Sequence, residues 1–334
     1  LAFQSAKLSD PRQPAVLAAA GLAFFAILMM VASGKLMLFV TGIGLLFFFG
    51  LIVPLTDSAV LRADRRGELV YAPVRAVGTV SFVVANLLGG AIISATSDRM
   101  AVVWMAATGI LTLIFALRIP LEPAEAKPRP RPDVRKALIL FRSKSFLYML
   151  FASGCVQGSH AVYYAFSELA FSAEGYAPWL IGMLWTVGTV AEILFLMRGK
   201  KLMDRLGPTG LLIFGAAGAV WRWPLMGMGL PLVLLVPVQM LHTATFGMTY
   251  MGTVEFIGRA VPEEYRVTAM TIVSSLGVGA VTGVATLGAG YIFVPESPFP
   301  AYAAMGGLAS IGLGLALLLR RRWDGGTLGA VKDA

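Results

Sequence analysis

Cysteine is nearly absent from this 334-residue chain, Cys155 being the only one. That excludes a disulfide framework and an all-cysteine metal site within one chain. Charge is scarce as well. Asp, Glu, Lys and Arg supply 13% of the residues, against about 25% in soluble domains. An ordinary cytosolic enzyme and a disordered protein are both excluded. Histidine is limited to His160 and His242, with no carboxylate at HExxH spacing. There is no G-x-S-x-G elbow, no Walker loop and no recognisable activating neighbour for Cys155. The sequence therefore predicts no enzyme, no cofactor and no metal site. What is abundant is apolar: 57% of the residues are hydrophobic, and 37 glycines are scattered through apolar runs without a collagen period. Glycine so placed suits helices that approach closely in lipid. The expectation is an all-α polytopic membrane protein.

A membrane-spanning helix needs about 20 mostly apolar residues. Ten segments meet that length: 14–33, 36–56, 71–95, 100–118, 145–169, 177–198, 208–228, 231–256, 267–294 and 299–319. Alternating strands of about ten residues, the mark of a membrane barrel, do not occur. Breakers such as Gly207-Pro208 and Pro298-Phe299-Pro300 join several spans through short connections, as antiparallel neighbours require.

Numbering the gaps alternately puts every basic residue except Lys35, Arg99 and Arg222 on one side. Lysine and arginine mark the cytoplasmic side. Both termini of this chain are thus expected in the cytoplasm of a multi-pass plasma-membrane protein, a bacterial inner membrane being the natural setting. The formal charge of +9 is then a topology signal and implies no nucleic-acid partner.

The long proline-rich basic stretch 119–144, with "KPRPRPDVRK", reads as a cytoplasmic linker. It separates a four-span bundle, 1–118, from a six-span bundle, 145–319, followed by a tail, 320–334.

Ionisable residues within spans are expensive and mark function by default. Gln157, His160, Tyr164 and Glu168 lie at i, i+3, i+7 and i+11 of one span, which places them on one stripe at helical period. Glu192, Arg222 and His242 lie in the next three spans. Each has a plain structural reading when taken singly. The histidines can act as helix-packing donors, Glu192 with Arg222 as an ion pair, and Glu168 as a group meeting water at a span end. Tyr163 and Trp179 read as interfacial anchors. Taken together, the embedded polar groups are expected to line a water-accessible cavity with a titrating wall.

Three stretches carry a resemblance: "PLTDSAVLRADRRGELVYAPVRAVGTVSFVVANLLGG" at 54–90, "GCVQGSHAVYYAFSELAF" at 154–171, and "LWTVGTVAEILFLMRGKKLMDRLGP" with the following "WRWPLM" and "LHTATFGMTYMGTVEFIGRAVPEEYR". Together they resemble the major facilitator superfamily, and within it the phenylpropionate-permease-like branch. The resemblance implies twelve helices in two six-helix bundles, a substrate held near midplane and alternating access by bundle rocking. It equates the ten spans here with helices three to twelve. It also implies two helices ahead of Leu1, which coupled transport would need.

The superfamily's cytoplasmic gating motif is matched by Asp204-Arg205-Leu206-Gly207, with Lys200 where a glycine is expected. A weaker front copy keeps Asp10 but has Pro11 and Gln13 in place of the basic residue and the glycine.

From this resemblance follows an expectation of proton-coupled uptake of a small organic solute such as an aromatic acid. Glu192 and His160 would be the proton-coupling groups. Gln157, Tyr164, Arg222 and His242 would contact substrate, and Asp10, Asp204 and Arg205 would form the gating loop. The partners would be substrate, protons and the lipid bilayer, with the chain a monomer. A nucleoside or sugar permease, a drug-efflux carrier and a non-transporting truncated scaffold stay open as alternatives.

Overall fold

A computed structural model describes residues 12–119 and 139–328. These residues are helical, with no strand among them. The chain divides into two compact units, Leu1–Pro130 and Arg131–Ala334. The seam falls in the proline-rich stretch expected to be a linker, of which 120–138 lie outside the described residues.

The first unit contains α1 (Gln13–Val31), α2 (Lys35–Arg65), α3 (Tyr71–Ala95) and α4 (Arg99–Leu117). Pro14 opens α1, where its missing N–H costs nothing because a first-turn amide has no intrahelical partner. α1 is the centre of this unit and packs on both α2 and α4. It presents Ala18, Ala19, Ala23 and Ala26 as a buried small-residue stripe, and Gly109 of α4 closes onto the Ala23 backbone. Phe25 and Phe48 lie over Gly44 and Gly21 and stack at 5.8 Å. The outer faces are apolar and bare: Leu36 is 77% exposed and Phe39 62%. Such surfaces belong against hydrocarbon and not against water.

The second unit runs through α5 (Lys144–Gly158), α6 (Ala161–Ala173), α7 (Pro178–Arg198) and α8 (Lys200–Met226). It continues with α9 (Leu232–Met240), a π-helical turn (Thr243–Met248), α10 (Thr249–Ala260) and α11 (Glu263–Ile272). A second π-helical segment (Val273–Ala280), α12 (Val281–Ile292) and α13 (Phe299–Arg322) complete it. α13 packs against α5 and α8. α5 also meets the second π-segment so closely that the Cα of Gly154 faces the Gly277 carbonyl, with no room for a side chain. One core cluster gathers around Tyr163, Trp223 and Tyr302, and a second around Phe146, Leu150 and Phe256. Beyond α13, Trp323 lies on Phe256 with ring centroids 4.6 Å apart. The Leu328 amide donates to Ala260 O, tying the segment after α13 to the end of α10.

Among the described residues, seven helical stretches are long and apolar enough to cross a membrane. They are Gln13–Val31, Lys35–Asp57, Arg99–Leu117, Pro178–Arg198, Leu232–Ala260, Glu263–Ile292 and Phe299–Arg322. The other three expected spans depart from a simple apolar rod, each in its own way. In 71–95 only Val80–Ala95 is an apolar helix. The expected continuous span 145–169 is broken at Ser159 and His160, between α5 and α6. The 208–228 span is joined to the preceding charged turn across a kink at Gly207, whose φ of 62° suits glycine. The glycine-rich run in 267–294 packs closely only in part. Gly277 meets Leu150, whereas nothing lies within 4 Å of where a Cβ would stand on Gly283 or Gly288.

Candidate functional site

The polar residues of the second unit converge because small residues let four helical segments approach. Gly188 of α7 faces the backbone of Gln239 and the Cβ of His242. Four residues on, Glu192 sits beside Gly247, whose missing side chain leaves room for the carboxylate stem. On α8, Gly215 and Gly218 admit the π-helical turn at Ala244. A π-turn inserts an extra residue into the helical ladder and re-aims the side chains it carries. Here it carries Thr245, with His242 immediately before it.

Arg222 lies at the centre and is fully buried. Its Nη1 donates to Thr245 Oγ1 at 2.9 Å and to His242 Nδ1 at 3.2 Å, and its Nη2 donates to Gln239 Oε1 at 3.1 Å. The guanidinium carbon stands 4.9 Å from the Tyr163 ring centre and 4.6 Å from that of Trp223. Aromatic faces offset part of the cost of a desolvated cation. On the far side of His242, Nε2 is 3.4 Å from Glu192 Oε2. A guanidinium can only donate, so His242 Nδ1 must accept and its ring proton sits on Nε2, facing the carboxylate. The result is a directed row, Arg222 to His242 to Glu192.

His160 forms a second branch. The break between α5 and α6 turns its ring back on the last turn of α5, with Nδ1 3.2 Å from Val156 O and 3.1 Å from Gln157 O. Carbonyls only accept, so Nδ1 carries the proton there. Nε2 lies 3.1 Å from Thr245 Oγ1. Next to it, the Trp223 indole N–H donates to Ser159 Oγ at 2.7 Å, and Ser159 donates to Val156 O at 2.6 Å. The His160 ring stacks on Tyr164 and meets His242 at 5.7 Å between centroids. Gln157 Nε2 donates to Phe246 O at 3.4 Å.

Six residues singled out from the sequence are thus within one connected group: Gln157, His160, Tyr164, Glu192, Arg222 and His242. One other reading needs correction. Tyr163, expected as an interfacial anchor, is 2% exposed and stacks on Trp185 at 4.3 Å. Tyr163 faces the core, and Tyr164 is the more exposed of the two. Glu168, at the outer end of the stripe, stands apart from its inner members, in keeping with its reading as a group at a span end. It is exposed and accepts from Ser172. Trp179 is half exposed at the start of α7.

Asp204 and Arg205 lie on the exposed surface just ahead of the Gly207 kink. The Asp204 carboxylate accepts from Lys200 at 2.8 Å and holds that ammonium above its ordinary pKa. Asp10 lies outside the described residues.

Sequence reasoning missed Gln239, Thr245, Ser159 and Trp185. Gln239, His242 and Thr245 stand three apart in "VQMLHTATFG", a polar stripe at helical spacing that was legible beside His242. Among the described residues, no group of three or more His, Cys, Asp or Glu could hold a metal ion.

A connected polar network with an embedded carboxylate and cation, inside apolar helices that expose bare hydrocarbon-facing surfaces, marks a multi-pass membrane protein with an internal polar site. The chain belongs to the MFS_1 like family, whose model matches residues 11–304, and so to the major facilitator superfamily.

It is 29% identical over 255 residues to the probable 3-phenylpropionic acid transporter of Escherichia coli (strain K12), covering 75% of this chain and 66% of that protein. It is 23% identical over 275 residues to the uncharacterized transporter YwbF of Bacillus subtilis (strain 168), covering 82% and 68%. The chain spans about two thirds of the length of these curated relatives. The crystal structure of the nucleoside transporter NupG shares the fold, with a TM-score of 0.75 at 14% identity over 96% of this chain and 85% of that one.

Proposed function

We propose that the protein is a secondary active transporter that couples proton movement to uptake of a small organic solute. An aromatic acid is the substrate class suggested by the phenylpropionate relative. The observation that carries this reading is the row from Arg222 through His242 to Glu192. Glu192 is the proton carrier. Ionised, it accepts from His242 Nε2–H and offsets the charge of Arg222 through one imidazole. Protonated, it leaves the buried cation without that counter-charge, and an anionic substrate supplies a replacement. Proton and solute are then favoured in the same state of the carrier, which is the thermodynamic requirement for symport.

His160 is the second titratable group. Tyr164, 44% exposed, and Gln157 are the side chains this reading brings to substrate, while Arg222 orients His242 from behind. The ten-span arrangement, the gating role of Asp204 and Arg205 and the inner-membrane setting with both termini of this chain cytoplasmic belong to the same proposal. So does a monomeric carrier working by alternating access.

The test is uptake of 3-phenylpropionate into proteoliposomes of the full-length protein under an imposed pH gradient. Glu192→Gln keeps shape and one hydrogen bond but cannot cycle a proton. It is expected to abolish uphill accumulation while leaving substrate counterflow partly intact. Undiminished accumulation by the variant would remove Glu192 from the coupling step.

A further inference from the structure

We propose that the Thr245 hydroxyl is a two-position rotor that reads the protonation state of His160 and relays it to the backbone carbonyl of His242. The inference rests on the reading of this cluster as the proton-coupling element and gives a role to a residue that reading does not use.

Thr245 is fully buried in the π-helical turn. Its Oγ1 lies 2.9 Å from Arg222 Nη1, 3.1 Å from His160 Nε2 and 3.4 Å from His242 O. A hydroxyl has one hydrogen and two lone pairs. Arg222 only donates, so it occupies one lone pair in every state. His160 keeps its Nδ1 proton, because Nδ1 faces two backbone carbonyls.

With Nε2 bare, the Thr245 hydrogen points at it. With Nε2 protonated, that nitrogen donates into the second lone pair, and the hydroxyl hydrogen swings to His242 O. One proton arrives, on Nε2, and no other bond to hydrogen is made or broken. Each of the two states leaves His160, Thr245 and Arg222 Nη1 fully partnered. The swing changes the bonding of the residue whose ring links Arg222 to Glu192, so the two histidine branches communicate through one rotating bond. The titratable and charged groups facing this point are Arg222 from α8, Tyr163 and Tyr164 from α6, and His242 from its own segment, with Glu192 of α7 beyond it.

The chain has two histidines, so selective 15N-histidine labelling of the full-length protein in lipid nanodiscs yields two ring spectra, assigned with His242→Gln. The expected wild-type result is opposite tautomers, Nδ1–H for His160 and Nε2–H for His242. Thr245→Ser keeps the hydroxyl and should keep the His160 titration midpoint. Thr245→Val removes both the donor to the neutral ring and the acceptor of the imidazolium; the bond to the charged form is the stronger, so the midpoint should move to lower pH by the difference, about half a unit to one unit. An unshifted midpoint in Thr245→Val overturns the rotor. So does an Nε2–H tautomer of wild-type His160, or a His160 that does not titrate between about pH 4 and 9. The wild-type spectra decide the tautomers even if Thr245→Val fails to fold. If the rotor fails while Glu192→Gln still abolishes uphill uptake, the carrier reading stands. If Glu192→Gln has no effect, it is that reading which falls.

Discussion

Arg222→Lys separates geometry from charge. The substitution keeps a cation at the centre of the cluster but replaces a planar fork by a single ammonium. Arg222 makes three hydrogen bonds, to Thr245, His242 and Gln239, from two nitrogens pointing in different directions. One ammonium on a shorter stem can keep one of these contacts. Hydrogen bonds from charged donors are worth about 1.5–3 kcal/mol each, so losing two sets an upper range of about 3–6 kcal/mol. Local relaxation and the retained charge reduce this, and about 3 kcal/mol is the expected loss of stability. The two aromatic contacts survive in part, because an ammonium also sits well over a ring.

The assay is reversible unfolding in mixed detergent micelles, with wild type and variant followed by tryptophan fluorescence, Trp223 lying directly against the guanidinium. A second signature comes from His242. Without the Arg222 donor on Nδ1, its ring is no longer held to the Nε2–H tautomer, and 15N spectra should show a mixture. A stability within about 0.5 kcal/mol of wild type, with His242 still a single tautomer, would refute the view that the fork organises the site.

Gly154→Ala should destabilise by about 1–3 kcal/mol, because its Cβ would run into the Gly277 backbone. Gly283→Ala, with open space around it, should be neutral or stabilising by up to about 1 kcal/mol; both are read by the same micelle unfolding, and a reversed order would contradict the α5 packing. Glu174 lies in the connection after α6, exposed but partly desolvated by its neighbours, which pushes its carboxyl above the usual range. A raised acid favours the protonated folded state. Its contribution is therefore full below the ordinary carboxylate pKa and is lost as pH rises through the raised value. Glu174→Gln should flatten that part of the stability-against-pH curve, and an unchanged slope would show that the side chain is solvated.

The apolar helices and the ionisable residues of the cluster were legible in the sequence because lipid is a uniform solvent. It demands long apolar runs and makes any embedded Glu, Arg or His conspicuous, so Glu192, Arg222, His160 and His242 stood out without coordinates. Composition could not say which of them touch. That depends on where the helical ladder is interrupted; Gly207-Pro208 announces its break, but the interruptions at Ser159 and Thr243–Met248 are written in residues that also fit an unbroken helix. The π-turn brought Thr245 onto Arg222, and Gly188 and Gly247 made the space that sets Glu192 beside His242. Hydrophobicity is a property of each residue and can be summed along a chain, but a hydrogen-bonded row needs partners from different helices at distances near 3 Å. Only the packing of those helices decides that.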